Sequence, residues 1–116
     1  MRIAITGTTG QLGGRLLSLA GSEPAEGLEL IPLGRDRMDL ADPSTFPKAL
    51  DGVRPDLVLS CAAYTAVDAA EDDRDMAFLV NGEGPGYLGK ACEDRNIKVI
   101  HIGTDYVFNG QGDRPY

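Results

Sequence analysis

Residues 2–13 read Arg2-Ile3-Ala4-Ile5-Thr6-Gly7-Thr8-Thr9-Gly10-Gln11-Leu12-Gly13. The first five form a short apolar run with β-branched members, closed by a glycine, which predicts a buried strand entering a tight turn. From Gln11 the period changes: Leu12, Leu16, Leu17 and Leu19 fall on one side of a helix predicted over 11–20. Three glycines stand between strand and helix, and in such a unit each has its own use. Gly7 lets the chain turn sharply, Gly10 lets the backbone approach a pyrophosphate with no side chain in the way, and Gly13 lets the helix pack closely on the sheet. The helix start adds free N–H groups and the positive end of a dipole. Without a ligand the same stretch is only a glycine-rich turn. Its place in the first strand–helix unit, about six residues into the chain, favours binding.

Downstream the same alternation continues. Gly21, Ser22 and Pro24 end the first helix. Residues 28–33 predict a second strand, in which Pro32 marks an edge or an end. Asp42-Pro43-Ser44 is a helix start, with a capping carboxylate and a proline in the first turn; the helix runs to about Leu50 and Gly52 closes it. Residues 57–61 predict a third strand, and 62–73 a loop leading into an acidic segment. Apolar residues from Met76 to Cys92 predict a long helix over 76–95, interrupted around Gly84-Pro85-Gly86. Residues 98–103 are the fourth strand, and the rest is loop.

Strands alternating with helices imply right-handed crossovers and a parallel sheet. The expected fold is α/β: a Rossmann-like, doubly wound parallel sheet with helices on both faces. Residues 1–116 make one nucleotide-binding domain, read as an N-terminal part without a substrate domain, and the open loop ending at Tyr116 reads as a truncation. Length and 42% apolar content suffice for one buried core. A net charge of -7 argues against nucleic acid or anionic membrane as partner. Cys61 and Cys92 lack metal-ligand spacing, no metal site is expected, and no segment reads as a signal or a span; a cytoplasmic protein is expected.

The end of the second strand bears on dinucleotide choice. An acid there bonds a ribose 2′-OH, whereas an arginine accommodates a 2′-phosphate. The chain reads Gly34-Arg35-Asp36-Arg37. Arg35, with Arg37 beside it, favours NADPH; Asp36 leaves NADH open.

The spacing Gly7-x-x-Gly10-x-x-Gly13 resembles the extended branch of the short-chain dehydrogenase/reductase superfamily, whose loop binds NAD or NADP. Three more stretches narrow the resemblance: Met38-Asp39-Leu40-Ala41-Asp42, the Ser-Cys-Ala-Ala-Tyr-Thr-Ala-Val-Asp-Ala-Ala-Glu run over 60–71, and Gly103-Thr104-Asp105-Tyr106-Val107-Phe108. Together they are similar to the dTDP-4-dehydrorhamnose reductase family, over essentially the whole chain. The resemblance implies reduction of dTDP-4-dehydro-β-L-rhamnose to dTDP-L-rhamnose in cell-surface polysaccharide synthesis. It implies Gly10, Gln11 and Leu12 along the dinucleotide phosphates, and Asp39 and Leu40 beside the adenine. It places Ala62, Ala63, Tyr64 and Thr65 along the nicotinamide ribose, Thr104 as the catalytic hydroxyl and Asp105 beside the dTDP-sugar.

Gly7, Arg35, Ala62 and Thr104 each follow a predicted strand, so they gather on the rim where open parallel sheets bind ligands. Thr104 has a plainer reading, a strand-end hydroxyl bonded to nearby backbone. Asp68 and Glu71 serve a helix dipole rather than a metal. His101 reads as a packed core histidine, and Tyr106 and Phe108 as pocket or core. The family's Tyr-x-x-x-Lys pair is missing: Tyr87 and Lys90 are one residue too close, and Tyr106 meets Gly110. Tyr116 resembles the step that precedes that pair. A reductase without its proton donor loses about two to four orders of magnitude in rate, so these 116 residues alone are expected to be inactive. Two rivals stand beside this reading. One is a dinucleotide-binding regulator resembling the β subunit of methionine adenosyltransferase; the other is a reductase of a different sugar nucleotide. Whether the full-length protein forms a homodimer is open.

Overall fold

The computed structural model describes every residue except 23, 24, 113 and 116, so the expectations placed on Pro24 and Tyr116 lie outside the described residues. Its sheet is built from β1 (Arg2–Ile5), β2 (Glu29–Pro32), β3 (Leu57–Ser60) and β4 (Lys98–His101). All neighbours are parallel, in the order β2-β1-β3-β4. β1 is central, and Ile3, Ala4 and Ile5 are buried, the near-continuous apolar run of a strand covered on both faces. Pro32 ends β2 at the sheet edge, where its missing N–H breaks no inner ladder.

The strand order sets the layers. From β1 the chain steps one way to β2, then back across β1 to β3, and onward to β4. With right-handed crossovers, α1 (Gln11–Ser22) lies on one face, and α2 (Phe46–Val53) and α5 (Gly84–Glu93) lie on the other. The main core sits on that second face. Ala4 and Val58 from the sheet meet Phe46, Leu50 and Val53 of α2, Leu88 and Cys92 of α5, and Leu33, Met38 and Leu40 from the segment after β2. Phe46, Leu50 and Val53 recur at helical spacing and are almost fully buried. Over α1, Leu16 and Leu17 are half-buried, while Leu12 and Leu19 are exposed.

The helix after Asp42 begins as expected, with the carboxylate accepting from the Ser44 N–H at 3.1 Å. It opens as a single 3-10 turn, Pro43–Thr45, and it does not end at Gly52. Arg54 takes the left-handed conformation (φ 50°) and its N–H reaches the Leu50 carbonyl at 2.7 Å. Pro55 bars further helix, so the stop is imposed from outside and Gly52 stays helical.

The acidic segment forms α3 (Val67–Asp72), and the long helix is split into α4 (Arg74–Phe78), a π turn (Leu79–Glu83) and α5. The break precedes the Gly-Pro-Gly triplet. Pro85 has no N–H for the carbonyl of Asn81 and its ring would strike that group; the wider turn, closed by the Gly84 N–H on the Leu79 carbonyl, relieves the clash. Two side-chain expectations are corrected. His101 is not a core residue: it is exposed on β4, the last strand of the sheet, with Nδ1 3.2 Å from the Ser60 hydroxyl. Tyr106 and Phe108 are exposed as well, so the core alternative weighed for them does not hold.

Candidate functional site

The carboxyl ends of the strands open into one groove of about 1220 Å3. It runs from Gly34, Arg35, Asp36, Asp39 and Leu40 after β2, across Gly7, Gly10, Gln11 and Leu12 after β1, to Ala62, Ala63, Tyr64 and Thr65 after β3. Ile102 and Gly103 line its far end, and Asp73, Met76 and Val80 its outer wall.

Gly7 takes φ +64°, open to glycine and strained for other residues. A Cβ there would lie 2.7 Å from the backbone of Cys61, so the first and third loops touch only because position 7 is bare. A Cβ on Gly13 would collide with the Gly7 carbonyl, which is the close helix packing expected of it; Gly13 is buried and does not line the groove. Gly10 differs: a Cβ there would meet nothing nearer than the Gly7 carbonyl at 3.3 Å. That contact is tight but milder than those at positions 7 and 13, and a bare backbone at position 10 leaves the groove floor open at the start of α1.

Thr6, unforeseen from sequence, ties the floor together. Its buried Oγ1 accepts from the N–H groups of Cys61 and Ala62, each at 3.1 Å, bridging the ends of β1 and β3. A threonine directly before the glycine turn was the available signal.

At the β2 end, Arg35 Nε donates to Asp39 Oδ2 at 2.9 Å, and Asp39 Oδ1 accepts from the Ala41 N–H at 2.9 Å. Partial burial pushes the Asp39 carboxyl up, but the Ala41 N–H and the Arg35 guanidinium outweigh it and hold the group below the usual carboxylate range. Arg37 is not part of the groove: its guanidinium reaches back to the Pro32 carbonyl at 3.3 Å. At the β3 end, a second residue unforeseen from sequence, Asn81 of the π turn, bonds both backbone groups of Tyr64.

Thr104 and Asp105 follow Gly103 but do not themselves line the groove. Thr104 Oγ1 accepts from the Tyr106 N–H at 3.2 Å and caps the short turn Asp105–Val107, the plainer role weighed for it. Tyr87 donates to Glu83, and Lys90 pairs with Glu93 and Asp94, so these two do not form a catalytic couple. Burial raises the thiol pKa of Cys61, and raises that of Cys92 to about 11, leaving both protonated at neutral pH. Among the described residues no cluster of metal-ligating side chains occurs, and no helix is long and apolar enough to cross a membrane.

Comparison with known proteins gives a consistent picture. The chain is 41% identical over 119 residues to dTDP-4-dehydrorhamnose reductase of Burkholderia thailandensis, covering all of this chain and 38% of that protein. It is 37% identical over 117 residues to dTDP-4-keto-6-deoxy-D-glucose reductase of Streptomyces niveus, covering 99% of this chain and 39% of that one. The crystal structure of dTDP-4-dehydrorhamnose reductase from Bacillus anthracis in complex with NADP superimposes with a TM-score of 0.82 at 36% identity, over 98% of this chain and 39% of that chain. The chain thus spans about two-fifths of the length of these relatives. The family model of the RmlD substrate binding domain matches residues 1–116, and the chain belongs to that family.

Proposed function

We propose that this chain is the dinucleotide-binding part of an NADPH-dependent reductase of a dTDP-4-keto-6-deoxy sugar, with dTDP-4-dehydrorhamnose as its substrate. One observation carries the reading. A continuous groove passes over a glycine turn that lines it with bare backbone at Gly7 and Gly10, and a guanidinium stands at the end where an adenosine 2′-phosphate would sit. The cradle fits the group. Gly7 and Gly10 keep the floor bare, and the start of α1 at Gln11 and Leu12 offers N–H groups and a positive dipole end to the diphosphate. Arg35 would take the 2′-phosphate, Asp39 and Leu40 would flank the adenine, and residues 62–65 would bear on the nicotinamide ribose.

When bound, the reduced nicotinamide supplies a hydride to the ketone carbon of the sugar. The chain's own residues hold the reactants. Thr104, just past Gly103, would donate its hydroxyl to the ketone oxygen and stabilise charge developing there, with Asp105 beside the substrate. To do so it must turn its O–H away from Asp105 Oδ1, to which it donates at 3.4 Å; the lone pair that accepts from the Tyr106 N–H can stay engaged. Relatives at 41% and 37% identity are named as reductases of two different dTDP-sugars, which supports a dTDP-linked keto sugar as the substrate class. That both are named as reductases favours this reading over a regulatory subunit.

The test is titration of the protein with NADPH and NADH by calorimetry. Saturable NADPH binding, tighter than NADH, is expected; failure to bind either would overturn the proposal.

A further inference from the structure

The loop 61–66 leaves the sheet at the end of β3 and has no strand partner beyond Ser60. Its backbone is held instead by two side chains. Thr6 grips its root at Cys61 and Ala62. At its tip, Asn81 Oδ1 accepts from the Tyr64 N–H at 2.8 Å, and Asn81 Nδ2 donates to the Tyr64 carbonyl at 2.9 Å. One amide satisfies both main-chain groups of one residue, across 17 positions of sequence. Asn81 stands in the π turn that Pro85 forces on the helix, beside Val80, which lines the groove.

We propose that Asn81 is a positioning residue for the nicotinamide half of the dinucleotide. This rests on the dinucleotide reading above. Strand order puts Arg35 at one end of the groove and Tyr64 toward the other, on either side of the glycine turn. With the 2′-phosphate at Arg35 and the diphosphate at the turn, the rest of the ligand lies against the loop that Asn81 clamps. Freed from the clamp, that loop would have to be ordered by the ligand itself, at the expense of affinity. The adenosine half rests on β1, β2 and α1 and does not depend on Asn81.

The experiment measures Kd for NADPH and for 2′,5′-ADP, which carries the adenosine half alone, in the intact protein and its Asn81 variants, with Tm recorded for each. Asn81→Ala is expected to weaken NADPH about tenfold, as two modest hydrogen bonds imply, and to leave 2′,5′-ADP unchanged. Asn81→Asp keeps the shape but sets a carboxylate against the Tyr64 carbonyl, and is expected to weaken NADPH at least as much. Wild-type NADPH affinity in Asn81→Ala, or equal loss of both ligands, overturns the proposal, as does Asn81→Asp binding NADPH like wild type. A wild-type protein that binds neither ligand overturns the dinucleotide reading and this inference with it.

Discussion

Arg35 is tethered to Asp39 through Nε alone, at 2.9 Å, and its two terminal nitrogens have no partner among the described residues. A guanidinium held by one edge presents the other for two-point capture of a phosphate. Arg35→Ala is therefore expected to weaken NADPH by about 10- to 100-fold, the range for charge-assisted bonds, while NADH changes by no more than about threefold. Titration of both nucleotides checks it; equal loss of the two would place Arg35 elsewhere.

The tether has a pH signature. The folded-state pKa of Asp39 lies below the ordinary value of 3.8, so its contribution is present above that value and is lost as pH falls through the folded pKa. The ratio of NADPH to NADH affinity should hold level from about pH 8 to 5 as far as this group is concerned. Asp39→Asn should lower that ratio across the whole range. A wild-type ratio in Asp39→Asn would show the tether to be idle.

Thr6→Val removes the acceptor of two N–H groups at the root of the groove and puts a methyl in its place. Leaving them unsatisfied is expected to cost about 2 kcal/mol of stability, read as a lower urea midpoint at unchanged m. Gly13→Ala, colliding with the Gly7 carbonyl, should cost at least as much and also displace the turn. Gly10→Ala is the contrast: its Cβ meets the Gly7 carbonyl at 3.3 Å, so it should cost less stability than Gly13→Ala while losing NADPH binding.

Burial raises the Cys92 thiol from 9.0 to about 11, and an acid raised on folding favours the native state only while protonated. Stability should be intact below pH 9 and decline as pH climbs from there through 11. At pH 7.5 neither thiol should react quickly with a disulfide reagent, and Cys92 should do so only on unfolding; prompt labelling of Cys92 in the native protein would contradict its burial.

Thr104→Val, made in the complete reductase, should lower kcat by about 10²- to 10³-fold with little change in NADPH affinity, the loss typical of one hydroxyl aimed at developing charge. Thr104→Ser should recover most of it. If Thr104→Val lowers Tm but spares kcat, its bond to the Tyr106 N–H is its whole role.

Much of this protein is legible in its residues taken in order. The change of period at Gly10–Gln11, the glycine spacing and the cap at Asp42 are local, because turns and caps are chosen by a few adjacent side chains, and they suffice for the alternating fold and for the β1 and β2 ends of the groove. What lies far apart along the chain could be settled only by folding. Sequence ranks Arg35 ahead of Arg37 as a phosphate ligand but leaves Arg37 as a helper; the strand end turns Arg35 to the groove and Arg37 to the Pro32 carbonyl. Gly52 looks like a helix stop, yet Pro55 decides where the helix ends. Thr6 and Asn81 carry no motif, since each bonds a backbone 17 or more positions away and any residue presents that backbone alike. Hydrogen bonds to main chain leave no trace in the partner's identity, and so tertiary structure alone could reveal how the third loop is held.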